Sequence, residues 1–366
     1  MFIHIIKLHF NTRRIVSITL GRPLAIRLQD TDVALPDPSL DALINDSHSG
    51  LCITALFVHI VRYRVICGDI MSALHTGSAR TQTDAESALR ARDSLANTLA
   101  QWHSDTANLP LEDEPTSQPQ HQSSFRTPEW YAMLYYNALL MLYRPSPALS
   151  GISMRDPTVL QSIFVAAKQA ITIYAQLHRW KRINYTWITL HAVFMAGLSY
   201  VYAVGRHFRS HKRKQNSTSA STPTAFLESD PAIIDIVNDC RTCSNVLVAI
   251  SERWNMAKNC YDVFNRLSDA VLLDAVEYHT KTPGSQRPQT PPIPPAETAS
   301  MHWDSGLSVG PLAVDSVLRD CLDDLQHFQP SAYGDDPVGQ LSHDWMGEIE
   351  GMGFNLFLYD TQTPHV

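Results

Sequence analysis

The sequence of 366 residues lacks the signatures of common catalytic and nucleotide-binding sites. It has no P-loop, no G-x-G-x-x-G after a strand, no H-E-x-x-H and no G-x-S-x-G motif. No other constellation of residues proposes catalytic chemistry, so we expect that the chain is not an enzyme. An enzyme built from scattered residues would need a deep polar pocket with perturbed titratable groups.

Cysteine is also sparse, with six residues in the chain. They are too few and too scattered for a disulfide framework or a compact two-zinc cluster, which favours a reducing compartment. Cys240 and Cys243 have the spacing of half a zinc site. Both fall on one apolar helical stripe, however, and no second pair lies nearby to complete four ligands. We therefore predict that they pack in the core, and we expect no metal or other cofactor in this chain.

The chain has no excess of positive charge. Its formal net charge of -7 gives no general electrostatic footprint for nucleic acid. The opening segment, MFIHIIKLHF, is too short and too interrupted for a signal peptide.

Alternation typical of β-strands is missing as well, and apolar residues instead recur three and four positions apart. This spacing is typical of amphipathic helices and predicts an all-α fold. Thr127-Pro128 and Asp156-Pro157 each combine a capping residue with a proline suited to the first helical turn. Apart from one fully apolar segment, the predicted helices are 51–74, 84–102, 128–143, 157–180, 233–254 and 260–278.

The segment from Tyr185 to Gly205 carries no charged residue. Such a helix either crosses a membrane or lies at the centre of a helical bundle. Polar residues interrupt it and amphipathic helices flank it, so we interpret it as the buried central helix and His191 as a core histidine. Gly197 lies in its middle, where glycine is unfavourable unless a neighbour needs the space. We therefore expect another helix to cross closely there. The alternative is a membrane-associated helical protein that spans at Tyr185–Gly205.

A basic cluster follows this segment. Its composition predicts an exposed and mobile loop that could act as a nuclear import signal. The other interpretation is a solvated loop that no receptor recognises. The candidate import residues are Arg206, Arg209, Lys212, Arg213 and Lys214.

The C-terminal part changes composition. Residues 281–310 are rich in proline and predict an extended linker. In residues 311–366, acidic side chains alternate with bulky apolar ones and only Arg319 is basic among Lys and Arg. We interpret this part as a disordered acidic tail and a candidate activation segment, against the alternative of a solubilising tail. Its candidate anchors are Leu318, Leu322, Leu325, Trp345, Met346, Phe354 and Phe357.

Several segments together resemble a known family. They are SITLGRPLAIRLQDTDVALP, WYAMLYYNALLMLYRPSPAL, AAKQAITIYAQLHRW, YTWITLHAVFMAGLSYVYAV and CSNVLVAISERWNMAKNCYDVFNRL. In order and spacing they resemble the middle homology region of fungal binuclear zinc-cluster transcription factors, from Arg14 to about Tyr278. The resemblance implies an all-α regulatory domain over residues 1–280, truncated at its N-terminus. The six-cysteine DNA-binding module of the family is absent from the sequence, which puts direct DNA binding in doubt.

The resemblance also implies a function. We expect a transcription regulator that controls RNA polymerase II transcription from the nucleus through its regulatory and activation parts. Its expected partners are transcription coactivators, with DNA reached through a missing module or a partner protein. A homodimer is compatible with the resemblance, and association with a membrane is not expected.

Overall fold

The computed structural model describes residues 35–37, 53–75, 81–111, 126–149, 156–216, 226–252 and 257–281. These residues are predominantly helical and include no β-strand, so the predicted all-α fold is confirmed. The predicted linker and tail, and the proposed boundaries of the parts at both ends, lie outside the described residues. They remain predictions.

The helices follow the predicted pattern closely. In chain order they are α1 (Ile53–Ile70), α2 (Gln82–Asp105), α3 (Pro128–Tyr143), α4 (Pro157–Arg179), α5 (Trp187–Asn216), α6 (Ile233–Ser251) and α7 (Ala257–Lys281). A π-helical turn, Met71–His75, continues α1, and short 3-10 turns occupy Thr106–Asn108 and Pro147–Leu149.

Two helix starts test the capping predictions. Asp156 caps α4 as expected, because its carboxylate accepts the backbone N–H of Thr158 at 2.9 Å and Pro157 occupies the first turn. Thr127 is the residue before α3, but its side chain makes no capping hydrogen bond. Its residue is 4% exposed, so the side chain is packed rather than directed at the helix end.

The apolar side chains form two clusters that share α3. The first cluster lies among α1, α2, α3 and the turn Pro147–Leu149, and includes Leu74, Leu99 and Trp102. The larger one lies among α4, α5, α6 and α7. Met133, Leu139 and Tyr143 of α3 pack against both clusters. Helix α3 therefore joins the two cores.

Helix α5 is the centre of the larger cluster, as the apolar segment predicted. It contacts α3, α4, α6 and α7. Its segment Ile188–Lys212 is the one helix in the described residues that is long and apolar enough to cross a membrane, and 67% of the tested window is buried inside the structure. A buried core helix passes the same test, so length and composition alone do not indicate a membrane span.

The prediction for Gly197 is confirmed. A Cβ atom at this position would lie 2.7 Å from Cε2 of Phe264 on α7 and 2.8 Å from Sγ of Cys243 on α6. Helices α6 and α7 therefore approach α5 where it has no side chain. Glycine is required there for packing rather than for backbone conformation.

Candidate functional site

The basic cluster after the apolar segment is helical, which corrects the prediction of a mobile loop. Helix α5 continues through Arg206, Arg209 and Lys212 to Asn216. Arg, His and Lys have no strong tendency to end a helix, and glycine and proline are absent between Arg206 and Asn216. Tertiary contacts also hold this end, because Lys212 Nζ lies 3.0 Å from Glu277 Oε2 on α7.

The candidate import residues therefore differ in their setting from the one predicted. Arg206, Arg209 and Lys212 are partly buried, and Nε of Arg209 donates to the backbone oxygen of Gly205 at 3.0 Å. Arg213 and Lys214 follow on the same helix. Whether these five residues act as an import signal remains a prediction.

The end of α5 also carries a buried histidine that the sequence analysis did not single out. His207 is 1% exposed, and its Nδ1 accepts the backbone N–H of Leu227 at 3.1 Å. A backbone N–H can only donate, so Nε2 carries the ring proton and donates to Asp230 Oδ1 at 2.9 Å. The ring thus bridges α5 to the segment that precedes α6.

The charge of His207 follows from these surroundings. Burial lowers its pKa, and the neighbouring His211 lowers it further, whereas Asp230 opposes the shift. The bond to the Leu227 amide also requires an unprotonated Nδ1. We therefore describe His207 as a neutral imidazole at pH 7.

Asp230 collects several donors at this place. Its Oδ2 accepts the hydroxyl of Tyr278 on α7 at 3.0 Å, and Nε2 of His211 lies 3.7 Å from Oδ1. The rings of His211 and Phe226 are 4.4 Å apart between centroids. The cluster of His207, His211, Asp230 and Tyr278 therefore ties α5, the segment before α6 and α7 together. The spacing of His207 and His211, one helical turn apart, was the sequence signal that pointed to it.

Two histidines and a carboxylate also form a set that could hold a metal ion. Ligand atoms of His207, His211 and Asp230 lie within 4.8 Å of one another. A metal at Nε2 of His207 needs that atom unprotonated, and the neutral ring then carries its proton on Nδ1. That proton would face the N–H of Leu227. The arrangement therefore suits a structural hydrogen-bond network and does not suit a metal centre.

Cys240 and Cys243 lie in the core, as predicted. They are 4% and 0% exposed, and burial raises the pKa of the Cys240 thiol to about 12 and that of Cys243 further. Within the described residues, neither belongs to a group of side chains that could hold a metal. Their role is packing on α6 against α5.

His191 lies on α5 and is partly buried. Burial, and then the charge of Arg144, lower its pKa to about 4, so it is neutral at pH 7. This agrees with a histidine of the helical core, although the neighbouring arginine was not foreseen.

The candidate activation residues fall in residues 311–366, outside the described part of the chain. The structure therefore does not test Leu318, Leu322, Leu325, Trp345, Met346, Phe354 or Phe357. Their role remains a prediction.

Known proteins similar to this chain are transcription regulators. The positive regulator of purine utilization of Emericella nidulans is 23% identical over 303 residues, covering 71% of this chain and 26% of that protein. Protein STB5 of Saccharomyces cerevisiae is 26% identical over 285 residues, covering 74% and 33%. Pyrimidine pathway regulatory protein 1 of the same yeast is 24% identical over 143 residues, covering 39% and 14%.

These relatives confirm the resemblance to fungal zinc-cluster transcription regulators that the motifs indicated. The chain is similar to regulators of transcription, and these relatives are not enzymes. It spans about a quarter to a third of the length of the first two relatives. No family model matches the sequence. No solved structure matches it either.

Proposed function

We propose that this chain forms the regulatory and activation parts of a fungal transcription regulator that controls RNA polymerase II transcription in the nucleus. The observation that carries the proposal is the similarity to two fungal regulators over 71% and 74% of the chain. The all-α architecture supports it, because the family resemblance implied a helical regulatory domain. The chain is then not an enzyme, and it holds no cofactor of its own.

DNA recognition is assigned to other residues in this proposal. The net charge of -7 and the absence of a six-cysteine module in the sequence support contact with DNA through a zinc-cluster module outside it or through a partner protein. A homodimer of the regulator would be compatible with either route.

The activation function is assigned to residues 311–360. Apolar side chains interleaved with acidic ones stay accessible to solvent, and a coactivator groove can bind them as an induced amphipathic helix. Leu318, Leu322 and Leu325 have the spacing for one such helix. Binding should be weak, since ordering the segment costs several kcal/mol of the contact energy.

Tethering tests this assignment. Residues 311–360 fused to an unrelated DNA-binding module should raise transcription of a reporter. Replacement of Trp345, Met346, Phe354 and Phe357 by Ala should remove most of that signal while every acidic residue remains. A matched control changes four acidic residues of the same segment to Asn. A silent fusion, or a signal that depends on the acidic residues alone, would make the segment a solubilising tail.

Fractionation tests the membrane alternative. A tagged chain should be recovered without detergent, because α5 is already surrounded by α3, α4, α6 and α7. Recovery that depends on detergent would favour a span at Tyr185–Gly205 instead.

A further inference from the structure

The turn after α3 contains polar groups that lack partners. Pro145 and Pro147 end the helix, and the backbone N–H of Arg144 makes its last bond, to the oxygen of Leu140 at 3.0 Å. The turn Pro147–Leu149 that follows contacts α2 and the π-helical turn Met71–His75. Ser146, between the two prolines, is 6% exposed.

Two buried polar atoms near this turn make no hydrogen bond. One is Oγ of Ser146, and the other is Nη1 of Arg92 on α2. Arg92 is 7% exposed, and its Nε and Nη2 donate to Asp93 Oδ1 at 3.2 and 3.1 Å. Its Cζ lies 5.7 Å from the ring centroid of Tyr143, the residue before Arg144. A buried donor without an acceptor is unfavourable by about 1–3 kcal/mol, so such groups indicate a missing partner.

Arg144 adds a positive charge to the same place. It is partly buried, and among the described residues no side chain forms an ion pair or hydrogen bond with its guanidinium. Two carboxylates act on the neighbouring Tyr143, those of Asp93 and Asp156. Both are engaged elsewhere, Asp93 with Arg92 and Asp156 with Thr158.

Two histidines from other elements face the same charge. Nε2 of His75 donates to the backbone oxygen of Met141 at 2.8 Å, which fixes the π-helical turn against the last turn of α3. Burial, and then the charge of Arg144, lower the pKa of His75 to about 4, and His191 on α5 responds in the same way. Three separate elements therefore bring cationic or donor groups to the end of α3.

We propose that Arg144, Arg92 and Ser146, with His75 and His191, form a binding site for a small-molecule oxyanion, a carboxylate or a phosphate. A planar guanidinium offers paired donors that match either group, and an anion would give partners to the orphaned donors. This site is independent of the proposed function, because it predicts binding to the purified chain without DNA or coactivator.

The test is calorimetric titration of the purified full chain at pH 7. The probes are potassium phosphate and, separately, potassium citrate, each compared with sodium chloride at equal ionic strength. We expect saturable binding of at least one probe, and the stronger of the two identifies the chemistry of the ligand. Arg144→Gln should weaken that binding at least about tenfold, as loss of a charge-assisted pair does.

The matched control is Arg241→Gln, which removes an exposed arginine on α6 and should bind as the unchanged chain does. Circular dichroism checks that each variant is folded. If Arg144→Gln does not fold, Arg144→Lys and Ser146→Ala replace it, and both should weaken binding. No saturable binding of either probe overturns the proposal. Equal binding by the folded site variants and the control would mean an adventitious ion only, which also overturns it.

Discussion

A Cβ atom at Gly197 would lie 2.7 Å from Cε2 of Phe264, so the phenyl ring occupies the space that any other residue needs for its side chain. Phe264 is 0% exposed and Cys243 lies on the other side at 2.8 Å from the same point. The contact joins α5, α6 and α7 at the centre of the larger core. It makes position 197 the most sensitive glycine of the described helices.

Substitution of Gly197 should therefore destabilise the fold. Alanine gains about 1 kcal/mol of helix propensity but overpacks a closed core, and we expect a net loss of about 1–2 kcal/mol. Leucine should prevent the native packing. The measurement is urea unfolding followed by circular dichroism. Gly205→Ala is the control, since its Cβ would meet the flexible end of Arg209 at 3.2 Å and Val271 at 3.3 Å. Equal stability of Gly197→Leu and the unchanged chain would contradict the packing argument.

The second prediction concerns the two bonds of the His207 ring. His207→Ala leaves the Leu227 amide and Asp230 without their partner and should lower the free energy of unfolding by about 2–3 kcal/mol. His207→Asn places an acceptor near the position of Nδ1 and should recover about 1 kcal/mol of this loss. His211→Ala, at a longer distance from Asp230, should have the smaller effect. Similar unfolding curves for His207→Ala and His211→Ala would show that the Leu227 bond contributes little.

The third prediction is that zinc does not stabilise this cluster. Metal coordination by Nε2 of His207 would break the bond that Nδ1 accepts from Leu227. One equivalent of zinc at pH 7 should therefore leave the Tm of the chain unchanged. The measurement is thermal unfolding with and without the metal. A rise in Tm that disappears in both His207→Ala and His211→Ala would instead establish a metal site.

The fourth prediction concerns acid. His59 is 4% exposed, its Nε2 donates to Thr106 Oγ1 at 3.0 Å, and its ring stacks on Trp102 at 4.7 Å between centroids. Thr106 in turn donates to the oxygen of Trp102. Burial lowers the pKa of His59 from 6.5 to about 4, with Asp105 opposing the shift and Arg62 adding to it.

The unfolded chain therefore binds a proton at His59 that the folded chain does not bind between pH 6.5 and about 4. The stability due to the neutral ring is complete above the unfolded pKa and is lost as the pH falls towards the folded pKa. From pH 7.5 to 5 this loss should be about 2 kcal/mol. Urea unfolding at both pH values measures it. His59→Gln should lose less stability over the same interval, and an equal loss in both proteins would assign the effect to other groups.

The fifth prediction concerns nuclear import. Replacement of Lys212, Arg213 and Lys214 by Ala should abolish nuclear concentration of a fluorescently tagged chain, because import receptors recognise clustered basic side chains. Glu277→Ala separates charge from structure, since it breaks the contact with Lys212 and keeps all three basic residues. Arg241→Ala with Arg266→Ala removes exposed basic residues elsewhere. Continued nuclear concentration of the triple variant would show that the cluster is not required.

Sequence patterns predicted those elements whose burial depends on one face of a single helix. The apolar residues of α4 recur three and four apart from Val159 to Leu177, and all of that face is buried. The same reasoning placed Cys240 and Cys243 in the core and required a close neighbour at Gly197. Periodicity suffices in these cases, because a helix with one apolar stripe has only one stable way to face a core.

The end of α5 shows where the pattern stops being informative. Charged and polar residues from Arg206 to Asn216 suit both a loop and the exposed end of a helix, so composition did not distinguish them. Contacts with residues distant in sequence decided the outcome, such as Lys212 with Glu277 and His207 with Asp230.

By itself, the sequence determined the helical class, the positions of the helices and the apolar centre of the bundle, because these depend on residues near one another in the chain. Only the tertiary structure placed His75 and His191 beside Arg144, and Leu227 beside His207. Each of these meetings joins separate elements. Their geometry depends on how the helices pack, which no local periodicity encodes.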